Sequence, residues 1–187
     1  EEKMIKKIIN KIRDKIYRFR IRLCKKNIRK KYHLSQKYWS RKGVVFKGER
    51  AIAFYDANLD VSVPNMIEIG DNSQITADVT ILVHDYSIQK ALEIVDKDFK
   101  DHTIQHVAKV TIEKNCFIGN RAILLPGTNI GDNCIIGAGS VCGGDYPPNS
   151  IIIGNPAIVV SNTIEWVNKK NGKYYTIGGE WNNFPRK

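Results

Sequence analysis

No run of apolar residues in this sequence approaches the ~20 that a membrane-spanning helix needs, and its first residues carry no apolar core of the kind that directs secretion. Both absences point to the cytoplasm. Cysteine is scarce. Cys24, Cys116, Cys134 and Cys142 form no CxxC pair, which excludes the common metal and redox motifs and leaves small buried thiols. Histidine is equally scarce, with His33, His84, His102 and His106 only. Acidic residues are missing from one end. Residues 1–50 hold 19 Lys and Arg against 4 Asp and Glu, a balance of +15, whereas the remainder is −4. The basicity therefore belongs to an N-terminal arm suited to an anionic surface.

What the sequence has is a period. Ile69, Ile75 and Ile81 are six apart; after an interruption the frame resumes with Ile112, Ile118, Leu124, Ile130 and Ile136. Four residues after seven of these eight aliphatics stands a small or β-branched residue: Ser73, Val79, Cys116, Ala122, Thr128, Cys134 and Ser140. Gly70, Gly119, Gly131 and Gly137 follow their aliphatic directly. Six is neither the strand nor the helix period. It fits a short strand and a tight turn, repeated, with the aliphatic inside, the small residue at the corner and glycine giving the turn its backbone freedom. Such coils bury their apolar row only by stacking.

Three segments flank or break the frame. Residues 1-42 form a basic arm, with Ile5, Ile8, Ile9, Ile12, Ile16, Phe19 and Leu23 at helical spacing over residues 3–23. The arm either packs on the body or a neighbouring subunit, or lies on an anionic membrane, the contact then running through residues 1-31. No nucleic-acid motif accompanies it. Residues 86-106 leave the frame, look helical around Ile88–Val95, and are placed to wall a site or to pack between subunits. In residues 161-187, Asn162 and Glu165 make a capping-box pattern before a short helix that Asn171-Gly172 would stop. The aromatic tail with Tyr174, Tyr175, Trp181 and Phe184 would pack on the body or a neighbour.

From Val110 to Pro156 the chain reads VTIEKNCFIGNRAILLPGTNIGDNCIIGAGSV, then CGGDYPPNSIIIGNP. This resembles the hexapeptide-repeat acyltransferases, the group that contains maltose and galactoside O-acetyltransferases and many O-acetyltransferases of surface-polysaccharide loci. The resemblance covers roughly residues 44–160, within a body spanning residues 43-160. It implies a mainly β fold, a left-handed parallel β-helix with three strands per coil, assembled as a homotrimer. On three hexads per coil, Cys116 and Cys134 stack as corner fillers, not as a disulfide. It also implies acetyl-CoA as acyl donor, a sugar or glycan acceptor as in capsule or lipopolysaccharide synthesis, and no metal.

Acyl transfer needs a base for the attacking hydroxyl, a donor for the oxyanion and alignment of both substrates. Histidine is the natural base near neutral pH. His84, in TILVHDYS, ends the last hexad before the excursion and matches the family's catalytic histidine with its His-Asp dipeptide. Asp85 follows on the strand and so points to the opposite face; a backbone carbonyl could orient His84 as well. His102 and His106, four apart, could share a helical face at the surface. The resemblance assigns the cofactor groove to Phe117, Gly119, Asn120, Ala138, Gly143 and Gly144, with the backbone N–H of Asn120 at the acetyl oxygen. Phe117 reads equally as core. Gly143 and Gly144 replace the family's usual Thr-Lys, and Val159 and Val160 stand where relatives place a basic residue, which removes partners for the CoA phosphates. Asp56, Asn58 and Asp85 are the acceptor-side candidates, although Asp56 and Asn58 also suit a turn. Other readings of the scaffold are an N-acetyltransferase on an amino sugar or small molecule, a metal lyase using His84, His102 and His106, and a β-helix without catalysis.

Overall fold

The computed structural model describes residues 2–24, 27–95, 103–169, 172–176 and 180–184. The body is a three-sided stack of coils. Its first face is the parallel sheet of Val44–Lys47, Ile67–Gly70, Val110–Ile112, Asn129–Ile130 and Asp145–Tyr146. The second comprises Ile52–Ala53, Gln74–Ile75, Phe117–Ile118, Ile135–Ile136 and Ser150–Gly154, and Ala157–Asn162 ends it as an antiparallel strand. The third holds Asn58–Leu59, Thr80–Ile81, Ile123–Leu124 and Val141–Cys142. Each coil pairs in register with the next, Ile75 with Ile118 and Ile118 with Ile136.

The hexad aliphatics fill the interior. Ile69, Ile75, Ile81, Ile112, Ile118, Leu124, Ile130 and Ile136 are all at most 1% exposed. The small residues four places on are buried too, and Cys116 and Cys134 stack as free thiols. Burial pushes the Cys116 thiol up to about 12, so it stays protonated and inert.

The glycines do a different job from the one the repeat suggested. Gly119 does not adopt a left-handed backbone. A Cβ there would lie 2.7 Å from the Ala138 nitrogen and 2.8 Å from the Ile136 oxygen, so its hydrogen lets adjacent coils approach. The left-handed turns fall mostly to polar residues, including Asn72, Asp78, Asn115, Arg121, Asn133 and Asn149. Asparagine tolerates that conformation because its short amide bonds locally. Here the amides also bond one another: Asn72 to Asn115 at 2.7 Å, Asn115 to Asn133 at 2.9 Å and Asn133 to Asn149 at 2.9 Å, a ladder up the first corner.

Two helices cover the start of the stack: α1 (Glu2–Leu23) and α2 (Ile28–Ser40). Leu34, Tyr38 and Trp39 of α2 are buried, and the Trp39 indole N–H donates to the Ala53 carbonyl at 3.2 Å. The excursion opens with a two-residue antiparallel pairing, His84–Asp85 against His106–Val107, and carries α3 (Ser87–Val95). His106 is thus in a strand, not on a helical face, because it pairs with Asp85; His102 lies outside the described residues. At the other end Asn162 accepts the Ile164 N–H at 2.9 Å and starts α4 (Thr163–Lys169). Asn171 lies outside the described residues. Gly172–Thr176 and Glu180–Phe184 of the tail pair with each other.

Replacing Ile118 by Ala should cost about 2–5 kcal/mol in a denaturant titration, because the cavity opens between two coils. Replacing Ile94, 85% exposed on α3, should stay within about 0.5 kcal/mol.

Candidate active site

Three corners separate the three faces, and the candidate residues distribute over two of them. The third corner, after the third face, holds His84. Its Nδ1 lies 2.5 Å from Oδ2 of Asp60 and 3.1 Å from Oγ of Ser62. A carboxylate only accepts, so Nδ1 carries the proton of the neutral ring and Nε2 is left with its lone pair. Nε2 makes no hydrogen bond among the described residues. The ring packs edge-on against Tyr86, centroids 5.1 Å apart, and borders a cavity of about 350 Å³ lined by Leu82, His84, Asp85, His106, Leu125 and Pro126. One nitrogen of the ring is thus held by Asp60 and Ser62, and the ring itself lines an open space.

Asp60 owes its place to coil register. Leu59 pairs with Ile81, so Asp60 sits one coil below Leu82, and its N–H donates to the Ile81 carbonyl at 2.9 Å. Its side chain, 12% exposed, accepts the Ser62 N–H at 3.0 Å and the Val83 N–H at 3.1 Å. Burial pushes the Asp60 carboxyl up, but the Ser62 hydroxyl and N–H, the Val83 N–H and the His84 ring together hold it below the ordinary carboxylate range. Sequence reasoning missed Asp60 and offered a backbone carbonyl instead. The first coil is 22 residues from the second, not 18, so the hexad frame does not reach it. The available signal was Leu59 itself, an aliphatic followed by an acid below the histidine's coil.

Asp85 is engaged elsewhere. Its carboxylate accepts the Ser87 N–H at 2.8 Å and the Ser87 hydroxyl at 2.7 Å, which starts α3 and holds its pKa below the ordinary value. Gly143 and Gly144 share the third corner with His84. Gly143 lies against the Leu125 side chain and gives its N–H to the Tyr146 hydroxyl at 3.3 Å; Gly144 turns left-handed and its carbonyl takes the Asn129 N–H.

The remaining candidates lie across the third face. Asn120 and Ala138 are stacked on the second corner, where the Gly139 N–H donates to the Asn120 carbonyl at 2.9 Å. The backbone N–H groups of Asn120 and Ala138 make no hydrogen bond among the described residues, whereas that of Gly119 is taken by the Ile136 carbonyl. Phe117 stands outward on the second face, 41% exposed, and is not core. Asp56 is on the second corner of the first coil, beside α2, and Asn58 points outward from the third face. Among the described residues no three His, Cys, Asp or Glu side chains converge in a set that could hold a metal.

The model of the bacterial transferase hexapeptide (six repeats) matches residues 109–144. Over that stretch the chain is similar to the bacterial transferase hexapeptide repeat. Over 118 residues the chain is 31% identical to the galactoside O-acetyltransferase of Escherichia coli (strain K12), a match that covers 63% of the chain and 53% of that protein. Over 73 residues it is 40% identical to the galactoside O-acetyltransferase of Lactococcus lactis, covering 39% of the chain and 35% of that protein. The chain thus spans about half the length, or less, of these curated relatives. Among solved structures, a galactoside acetyltransferase in complex with coenzyme A aligns over 91% of the chain and 87% of its own at TM-score 0.55 and 21% identity. A hexapeptide-repeat acetyltransferase of Vibrio cholerae complexed with acetyl coenzyme A aligns over 79% and 85% at TM-score 0.56 and 18% identity. The shared fold is the left-handed parallel β-helix.

Asp60 ionises more easily folded than unfolded, so the unfolded chain binds more protons between the two pKa values. The stability it contributes is present above the unfolded value of about 4 and is lost as pH falls through the lower folded one. The stability gap between wild type and Asp60→Asn, read by urea titration, should therefore be widest near neutrality and close below about pH 4.

Proposed function

We propose that this chain is an acetyl-CoA-dependent O-acetyltransferase that acylates a sugar hydroxyl, with His84 as general base. The observation that carries the proposal is an imidazole held by Asp60 through Nδ1, with Nε2 unbonded among the described residues and the ring lining an open cavity. Nε2 takes the proton of the acceptor hydroxyl as its oxygen attacks the thioester carbon. The tetrahedral oxyanion then collapses, the carbon–sulfur bond breaks, and the imidazolium returns the proton to the departing thiolate. The oxyanion needs an N–H donor about 3 Å away, and the Asn120 N–H is unengaged.

Within one chain the third face stands between Asn120 and His84. A working site therefore requires a second copy to bring its second corner against the third corner of the first, and the assembly is a homotrimer. Phe117, Asn120 and Ala138 of one copy then flank the pantetheine, and Gly143 and Gly144, lacking side chains, leave room beside His84 of the other. The names of the galactoside O-acetyltransferase relatives support a sugar acceptor, and the setting is surface-polysaccharide synthesis.

Turnover of acetyl-CoA, read as free thiol over a panel of sugar acceptors, should fall by about 10²–10⁴-fold in His84→Ala. Calorimetric binding of acetyl-CoA should persist in that variant. Equal turnover in both proteins would remove His84 from the chemistry.

A further inference from the structure

The helix α1 turns its apolar face away from the protein. An amphipathic helix ordinarily buries that stripe, but α1 packs through another. Ile21 is buried, Tyr17 stacks near Tyr38, and Asp14 binds Lys42 at 2.7 Å and Arg41 at 3.7 Å. At about 100° per residue, Asp14, Tyr17 and Ile21 lie on the side opposite the stripe of Ile5, Ile8, Ile12, Ile16, Phe19 and Leu23. Those six side chains are between 50% and 66% exposed. Lys6, Arg13 and Arg20 border the stripe on one flank, and Lys11 and Lys15 on the other. The helix holds nine Lys and Arg against two acids, Glu2 and Asp14.

We propose that α1 is an interfacial helix that docks the protein on an anionic phospholipid surface, with the body held above it by α2. An apolar stripe fringed on both sides by cations fits the boundary between acyl chains and anionic headgroups. Its 22 residues would lie along about 33 Å of that surface. A second copy of this chain is a poorer occupant. Two such helices face to face would bring like charges together. Three acids of the body are already engaged within the chain, Glu68 with Lys47, Asp71 with Arg50 and Asp60 with His84. The inference does not depend on the proposed chemistry.

The test is flotation of the full chain with vesicles of phosphatidylcholine, with and without phosphatidylglycerol. The protein should float with the anionic vesicles and remain below with the neutral ones. The pair Ile12→Gln and Phe19→Gln, both on the exposed stripe, should lower partitioning at least about a hundredfold. Removing Lys11 or Lys15 should lower it by about fivefold per charge. Sedimentation velocity of the same variants should show the wild-type assembly, and circular dichroism an unchanged β-helix. No flotation by the wild type overturns the proposal. So does a change of assembly state in the Ile12/Phe19 pair, which would assign the stripe to a second copy.

Discussion

The structure depends on the register of one coil upon the next. Each interior aliphatic lies on its equivalent one coil away, Ile75 on Ile118 and Ile118 on Ile136, and the parallel hydrogen bonds of three faces lock that alignment. A row of Ile and Leu at zero or near-zero exposure supplies the apolar burial that no single coil could. Stacking also places the corners. Side chains 16 to 43 residues apart in sequence become neighbours along an edge, so the asparagine ladder, the Asp60–His84 contact and the run of Leu82, Leu125 and Gly143 all follow from one constraint.

The histidine shows how that constraint positions a side chain. A lone imidazole at a strand end would sample both tautomers and several rotamers. Asp60, fixed one coil below by its own backbone bond and two backbone N–H donors, selects one orientation. The excursion completes the setting: the short pairing of His84–Asp85 with His106–Val107 brings His106 to the cavity, and Asp85 spends its carboxylate on starting α3 rather than on the ring. Two adjacent acids, one in sequence and one in space, thus take different roles because only one lies in register with His84.

The repeat was legible because hexad aliphatics and corner residues must satisfy burial in every coil. Position 84 was legible because it ends a hexad at an interruption. What the sequence hid was set by local departures from period six. The four added residues between the first two coils put Asp60 out of frame. The glycines after each aliphatic suggested turns, yet Gly119 is needed for coil contact, and the left-handed positions went to residues such as Asn115 and Arg121. Amphipathicity identified α1, but periodicity gives the angle between faces and not which one meets the protein; tethers at Asp14, Tyr17 and Ile21 decide that. The departures at Gly143 and Val160 are visible in sequence, whereas their consequence for the proposed binding of coenzyme A depends on an assembly.

In the proposed site the Asp60-held His84 of one copy meets the free amides of Asn120 and Ala138 on another. A crystal structure of the assembled protein with coenzyme A tests it most directly. The pantetheine should run past the Asn120 and Ala138 N–H groups of one copy, with its sulfur in contact with His84 Nε2 of the next. Coenzyme A bound elsewhere, or a sulfur out of reach of every His84 Nε2, would contradict it.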